Sequence, residues 1–373
     1  MTRTLAPGRR HGEVTVPSSK SIAHRELIAA ALSGVEPPTI RGESNDTRAT
    51  RACLKAMMSG EAVWPCGESG TTLRLLEPIA GVMGWTGAFR CEGRLGARPR
   101  MPFEKTSRYV VPGNVSSQFV SGLLMALPLA DWDSEVVVEG RLQSAAYVGL
   151  TEDTLRASGI VFDRVESRRP TALDGARRQA ADVARQSSSA FDGVRWRIPG
   201  RQRYRFPGGG VVEGDWSQAA FFLAMGVEAR GLKADSHQGD RAITRLLAVL
   251  ADARRRSTAC DRASAPPLTI DVSETPDLYP VLAAYAAATD RDVAFTGTER
   301  LRLKESDRLA STAALIAAVK AGRPVDTFGD HRIAMAAAVM ACYASRPITV
   351  NGAECVAKSY PDFWDDFDGL RLG

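Results

Sequence analysis

Four short stretches concentrate groups able to hold anions or move protons. Pro17-Ser18-Ser19-Lys20-Ser21-Ile22-Ala23-His24-Arg25 puts a lysine and a serine in a first helical turn, with His24 on the same face as Lys20 at i, i+4. Gly67-Glu68-Ser69-Gly70-Thr71-Thr72-Leu73-Arg74 is a glycine turn opening a helix. It lacks the P-loop spacing and terminal Lys-Ser/Thr, which disfavours a Walker-type ATP site. Lys304-Glu305-Ser306-Asp307-Arg308-Leu309 and Gly329-Asp330-His331-Arg332 are charge-dense clusters just before apolar helices. Each stretch alone is accounted for by N-capping or by solvated charge, because every helix start needs side-chain acceptors for its free N–H groups. Several starts carry more than a cap, however: Ser18-Ser19-Lys20-Ser21, Gly70-Thr71-Thr72 with Arg74, Ser116-Ser117, and Asp330-His331-Arg332. Free N–H groups, the positive dipole end and added hydroxyls or cations make such termini anion sites. Several of them converging would hold a substrate with more than one negative group, which indicates phosphate or carboxylate chemistry.

These residues need a repeated scaffold to bring them together. A short polar or glycine-containing segment followed by an Ala/Leu-rich helix recurs at Ser18–Leu32, Ser69–Val82, Ser116–Ala130, Asp215–Ala229, Pro276–Ala288 and Asp330–Ala344. Between them lie β-type runs at Val136–Val138, Leu268–Val272, Val293–Phe295 and Ile348–Val350, with further helices at Arg241–Asp252 and Ser306–Val319. The anchors recur mostly at about 50 to 60 residues, with one doubled gap between Ser117 and Ser217. The pattern predicts an α/β chain with degenerate internal repeats, three per domain.

The composition permits this. The chain has 373 residues, 44% hydrophobic and 24% charged, enough for two domains with their own cores. The net charge of +5 suits small acidic substrates in a basic cleft as well as nucleic acid. The longest apolar run, Ile333–Ala344, is about a dozen residues against the roughly 20 that span a bilayer, so no membrane anchor is expected. The N-terminal stretch has no apolar region of a secretory signal. Six cysteines (Cys53, Cys66, Cys91, Cys260, Cys342, Cys355) stand singly without CxxC, and with four histidines they offer poor material for zinc. Reduced, buried thiols in a cytoplasmic protein are the expectation. Arg164–Arg205 holds eleven Arg against four Asp/Glu, and its part from Glu166 to Asp192 reads as a surface insertion. A nucleic-acid contact there is the weaker reading, since Trp196, Tyr204 and Phe206 give thin aromatic interleaving.

Ten segments in order, SKSIAHR, GESGTTLR, GRLGARP, VSSQF, SAAY, VEGDWS, ETPD, LKESDRL, GDHRIAMA and AKSYPDF, run from residue 17 to 363. Together they resemble the enolpyruvyl transferases, most closely the branch acting on shikimate 3-phosphate. The resemblance implies two domains, each of three βαββαβ units in an inverse α/β barrel, with one or two copies abbreviated here. The domains would be 16–213 and 1–15 plus 214–373, with the active site in the cleft between them. It implies transfer of the enolpyruvyl group of phosphoenolpyruvate to the 5-hydroxyl of shikimate 3-phosphate with release of phosphate, by addition then elimination, in aromatic amino acid biosynthesis. Neither metal nor organic cofactor is implied. The expected partners are these small anions acting on a monomer, with no membrane and no nucleic acid.

By the same resemblance Asp277 takes the hydroxyl proton, Glu305 protonates the methylene carbon, and Lys20 serves both substrates. Ser21, Arg25, Ser116, Ser117, Gln118, Ser144, Asp277 and Lys304 match the shikimate 3-phosphate site. Gly70, Arg94, Gln118, Arg308, Arg332 and Lys358 match the phosphoenolpyruvate site. Lys20, Arg94, Arg308, Arg332 and Lys358 would repel in an empty cleft, which predicts an open form that closes on ligand.

The chain departs from the family pattern in places. Glu68 replaces a usual Asn, Ala145-Ala146 replaces a basic-plus-Pro pair, and Arg300 stands where some members have Asn. Sixteen residues between Pro99 and Ser116 are too few for the usual helix and strands, and Arg254–Ser273 is also short. Two alternatives follow: transfer to another hydroxyl, such as a UDP-sugar or specialised metabolite, or a silent, nucleic-acid-binding relative. The UDP-sugar branch carries a reactive cysteine in the loop that here reads Gly93-Arg94-Leu95-Gly96, and Cys91 lies outside it as an expected buried thiol. Retention of Lys20, Asp277, Glu305, Arg308, Arg332 and Lys358 argues against a silent relative.

Overall fold

Apolar residues all round a helix demand burial on every side, and two helices of this chain meet that demand. A computed structural model describes residues 1–97, 100–113, 116–167, 193–256 and 268–373. The helices are α1 (Lys20–Ser33), α2 (Asn45–Met58), α3 (Gly70–Val82), α4 (Ser117–Ala126), α5 (Ala145–Ala157), α6 (Trp216–Met225), α7 (Ile243–Arg256), α8 (Tyr279–Ala288), α9 (Arg308–Ala321), α10 (His331–Ala341) and α11 (Phe363–Gly369). Every residue of α10 is buried, and in α4 only Gln118 escapes burial. Small side chains make this possible. At Gly122 of α4 a Cβ would run into the backbone carbonyl of Arg74 on α3, so these helices cross at backbone contact.

Strands flank the central helices in small sheets. Arg108–Pro112, Ser134–Glu139, Gly193–Ile198 and Asp163–Ser167 form the four-stranded one, in that order. The chain start pairs only with late segments: Thr2–Leu5 runs antiparallel to Ile348–Asn351, Arg10–His11 to Arg371–Leu372, and Glu13–Thr15 parallel to Glu228–Arg230. One core accordingly joins Leu5, Val14 and Val16 to Phe221, Phe222, Leu282, Ile333 and Phe363. Two others lie within residues 27–206, one around Trp196 and Leu124, the other around Trp64 and Leu75.

Several boundaries differ from expectation for local reasons. The helix expected to reach Ala229 stops at Met225, where Gly226 adopts φ 84° and turns the chain into the 228–230 strand. The helix from Ser117 stops at Ala126 and tightens into a 3-10 turn over Leu127–Leu129, where Pro128 has no N–H to continue it. The short stretch after Pro99 still accommodates the 108–112 strand.

The insertion needs a larger correction. Its flanks at 163–167 and 193–198 are paired strands, and Trp196, Tyr204 and Phe206 are core residues, so they cannot stack on bases. Residues 168–192 lie outside the described residues. Cys53, Cys66 and Cys342 are buried as expected, with the Cys53 and Cys66 sulfurs 3.7 Å apart. Cys91 and Cys355 are only partly buried; Cys91 ends a strand paired on one side only. Cys260 is outside the described residues. No helix among the described residues is long and apolar enough to cross a membrane.

Candidate active site

One cavity of about 370 Å³ is lined by the N-terminal ends of α1, α3, α4, α9 and α10 and by the 3-10 turn Pro276–Leu278. Asp277 lies in that turn among cations. Its Oδ1 accepts from Arg308 Nη1 at 2.7 Å and Lys304 Nζ at 3.3 Å, and its Oδ2 from Arg332 Nη2 at 2.9 Å. Burial alone would raise the carboxyl pKa, but Arg332, Lys304 and Arg308 outweigh it and hold it well below the carboxylate range.

Arg308 is 1% exposed and organises this wall. Its other nitrogens donate to Glu305 Oε2 at 2.5 Å and Asp330 Oδ2 at 2.8 Å. One guanidinium therefore fixes Asp277 and Glu305 relative to each other, since its planar fork sets the direction of each bond. Asp330 also caps α10 through Arg332 N–H at 3.0 Å. Arg332 keeps two donors, Nε and Nη1, buried without a protein partner. Burial lowers the pKa of Lys304, with Asp277 opposing. Burial, then Arg332 and Lys20, keeps the His331 imidazole neutral; neither ring nitrogen is hydrogen-bonded, and Nδ1 lies 3.9 Å from Asp330 Oδ1.

The facing wall is built mainly from hydroxyls and amides. Ser69 and Ser116 spend their hydroxyls as caps of α3 and α4, as simple capping requires. Ser19 does not cap α1; its hydroxyl donates to Gln238 Oε1 at 2.8 Å. Ser144 sits at φ 56°, a left-handed conformation that a serine tolerates poorly, and makes no cap bond at α5. Its hydroxyl instead receives Arg300 Nη1 at 3.2 Å. Gln118 is oriented by Thr71 Oγ1 at 2.7 Å and Arg74 Nη1 at 2.6 Å. Lys20 Nζ donates to Asp46 Oδ2 at 2.8 Å, and Asp46 with Glu305 overcomes the burial cost to raise its pKa. Arg25 faces the cavity but is tied to Thr151, Ser21, Ser121 and Tyr147, and burial lowers its pKa to about 10. His24 is no ligand here: burial brings its pKa to about 3, and Nδ1 meets Thr50 Oγ1 at 2.6 Å.

All of the expected site residues except Arg94 and Lys358 line this cavity. Arg94 is exposed and reaches the Glu305 carbonyl at 3.2 Å. Lys358 lines an adjoining cavity, 3.5 Å from Asp46 Oδ1 and 3.3 Å from Glu68 Oε2. The expected repulsion is present but offset: Arg332 opposes the charge of Lys20 and Arg308 that of Arg332, while Lys20, Arg308, Arg332 and Lys358 each lie against a carboxylate, and the walls already touch. Across the cleft, Ala145 N–H reaches Glu274 Oε2 at 3.0 Å, Lys20 N–H reaches Asp215 Oδ2 at 3.0 Å, and Lys358 meets Glu68. Sequence reasoning missed Asp46 and Tyr147 as lining residues, although Tyr147 falls inside a quoted segment, and it named His331 only as part of an anion-suited helix start. Asp46, in an unremarked Ser44-Asn45-Asp46 helix start, offered no signal.

A cleft of this kind, converging helix termini over paired carboxylates and cations, defines a class of proteins that bind anions and can move protons beside them. The family model for EPSP synthase (3-phosphoshikimate 1-carboxyvinyltransferase) matches residues 5–62, 188–321 and 312–367. The chain is 33% identical to the 3-phosphoshikimate 1-carboxyvinyltransferase of Clostridium kluyveri, over 98% of this chain and 96% of that protein. It is 30% identical to that of Clostridium acetobutylicum, over 96% and 95%. Two solved EPSP synthase structures from Acinetobacter baumannii superpose with TM-scores of 0.67 and 0.65 at 20% and 19% identity. The first likeness covers 100% of this chain and 98% of that one, and shows the shared inverse α/β barrel fold. The chain belongs to the EPSP synthase family.

Proposed function

We propose that this chain transfers the enolpyruvyl group of phosphoenolpyruvate to the 5-hydroxyl of shikimate 3-phosphate, releasing phosphate. The observation that carries the reading is the sharing of Arg308 by Asp277 and Glu305 inside a cavity where Arg332 keeps unspent donors. A base, an acid and cations for charged groups are what addition and elimination through a tetrahedral intermediate require.

In this reading Asp277 takes the hydroxyl proton and Glu305 delivers one to the methylene carbon, then retrieves it as phosphate leaves. Lys20 and Gln118 from one wall meet both ligands, and Arg332 from the other meets the phosphoenolpyruvate, as do Gly70 and Arg308. Ser116, Ser117 and Ser144 receive the acceptor's phosphate, while Ser21, Arg25 and Lys304 face its ring. Arg94 and Lys358 join by small side-chain movements. The domains of this reading are 16–213 and 1–15 plus 214–373, supported by the pairing of the chain start with late strands. The reading takes the protein as a monomer acting in the cytoplasm.

The test is phosphate release from phosphoenolpyruvate with shikimate 3-phosphate, UDP-N-acetylglucosamine or no acceptor. Release that depends on shikimate 3-phosphate, with the enol ether seen by mass spectrometry, is the expected result. Folded protein that releases phosphate only with another acceptor, or not at all, would remove the reading.

A further inference from the structure

Asp277 has a difficulty as a base. With Arg308, Lys304 and Arg332 bonded to it, its carboxyl sits well below the usual range and is a poor resting place for a proton. A second carboxylate lies behind it. The Tyr147 hydroxyl is 3.5 Å from Asp277 Oδ2 and 3.3 Å from Asp240 Oδ2. Asp240, in the 3-10 turn Gly239–Ala242, is 2% exposed; its Oδ2 also accepts from the Ser217 hydroxyl, and its Oδ1 is buried without a partner. Among the described residues no cation is hydrogen-bonded to it.

We propose that Asp240 is the proton store of the reaction, filled from Asp277 through the Tyr147 hydroxyl. This rests on the transferase reading above. The acceptor O–H bond breaks and its proton goes to Asp277 Oδ2. Tyr147 Oη accepts that proton while its own passes to Asp240 Oδ2, and Asp277 returns to a carboxylate between its cations. When the C–O bond to phosphate breaks, the proton runs back along the same chain to the departing phosphate. No proton is gained or lost over the cycle, and no further reactant is needed. Asp240 touches no substrate atom and acts only by positioning a proton.

The direction of transfer follows from the surroundings. Burial, then the negative charge of Asp277, raises the Asp240 pKa to about 6; Ser217 and Arg332 pull it down, and Asp215 pushes it up. Burial, with Asp240 and Asp277, keeps Tyr147 a neutral phenol. The proton therefore moves from the weaker holder to the stronger one. Asp240 must start as a carboxylate, so turnover should fall as pH falls through about 6.

The experiment uses the full chain with both substrates and compares wild type, Asp240→Asn and Tyr147→Phe. Asp240→Asn is expected to lower kcat at least about tenfold, less than the roughly 10²-fold of a lost direct proton-transfer group because Asp277 remains, with both KM values nearly unchanged. The acidic limb of its kcat profile should vanish. A limb that persists belongs to the substrate phosphates, whose second pKa is also about 6, and overturns the proposal. Tyr147→Phe should lower kcat similarly and turn a curved proton inventory in mixed H₂O and D₂O into a straight line. It also decides the matter if Asp240→Asn does not fold. An active wild type whose two variants keep its kcat and pH profile overturns the relay alone. A wild type without release dependent on shikimate 3-phosphate overturns the transferase reading, and the relay with it.

Discussion

Across the cavity, residues 20–147 present mostly hydroxyls, amides and a lysine already matched to Asp46, whereas residues 277–332 present Asp277, Lys304, Glu305, Arg308 and Arg332 in direct contact. The first wall can bind charge without changing its own. The second holds carboxylates at defined spacing by interlocking them with guanidinium groups, and its members cannot be altered independently. In the proposed reaction the acceptor's phosphate and the two proton-transferring carboxylates thus fall on opposite sides of one cleft. Neutral donors at helix termini serve the former, and a low-dielectric ion network serves the latter.

That division breaks most visibly at Arg308. Replacing it by Met leaves Asp277, Glu305 and Asp330 without their shared partner, and should cost about 3–5 kcal/mol of stability, as expected for an uncompensated buried charge. Chemical denaturation measures it, and a wild-type midpoint would show that the three carboxylates do not depend on Arg308. Glu305→Gln keeps the shape and removes the acid. It should lower kcat at least about 10²-fold with a folded protein, and unchanged turnover would take Glu305 out of the mechanism.

The first wall should respond through binding. Ser144→Ala removes the donor proposed for the acceptor's phosphate and should raise the shikimate 3-phosphate KM about tenfold, the scale of a hydrogen bond to a charged group. A fall in kcat at unchanged KM would move Ser144 to the chemical side and spoil the contrast. The smallest effect is expected at Glu68, 58% exposed beside Lys358. Glu68→Gln should change the phosphoenolpyruvate KM less than about threefold, because exposed ion pairs contribute little. A tenfold change in steady-state KM would make this departure from the family pattern a determinant of affinity.

Much of the fold and site was legible because its signals are local. The six repeat helices were visible as Ala/Leu-rich runs behind polar starts, with errors at ends such as Met225 and Ala126, where one glycine or proline decided. Lys20, Glu305 and Arg332 stood in motifs singled out for their residue types, whereas Asp277 was reached only through the family resemblance. The Arg164–Arg205 region misled because its composition is that of a surface, while alternate residues of Gly193–Ile198 still point inward and bury Trp196. Tyr147 lay inside a quoted segment but without a role, and Asp240 carried no usable signal, since the meaning of each depends on a neighbour 93 positions away.

The sequence by itself determined which helices could be buried, where each begins, and that several begin with groups suited to anions. Those properties depend on side chains within a turn or two of one another. Only the tertiary structure decided the state of the charges. Lys358 meets Glu68 across 290 residues, Arg332 meets Asp277 across 55, and Arg308 meets Asp330 across 22. A list of cations read along the chain suggests repulsion, but in the folded chain each of these has a carboxylate at hydrogen-bond distance. Coulomb energy follows separation in space and the dielectric around the pair, neither of which is written in residue order.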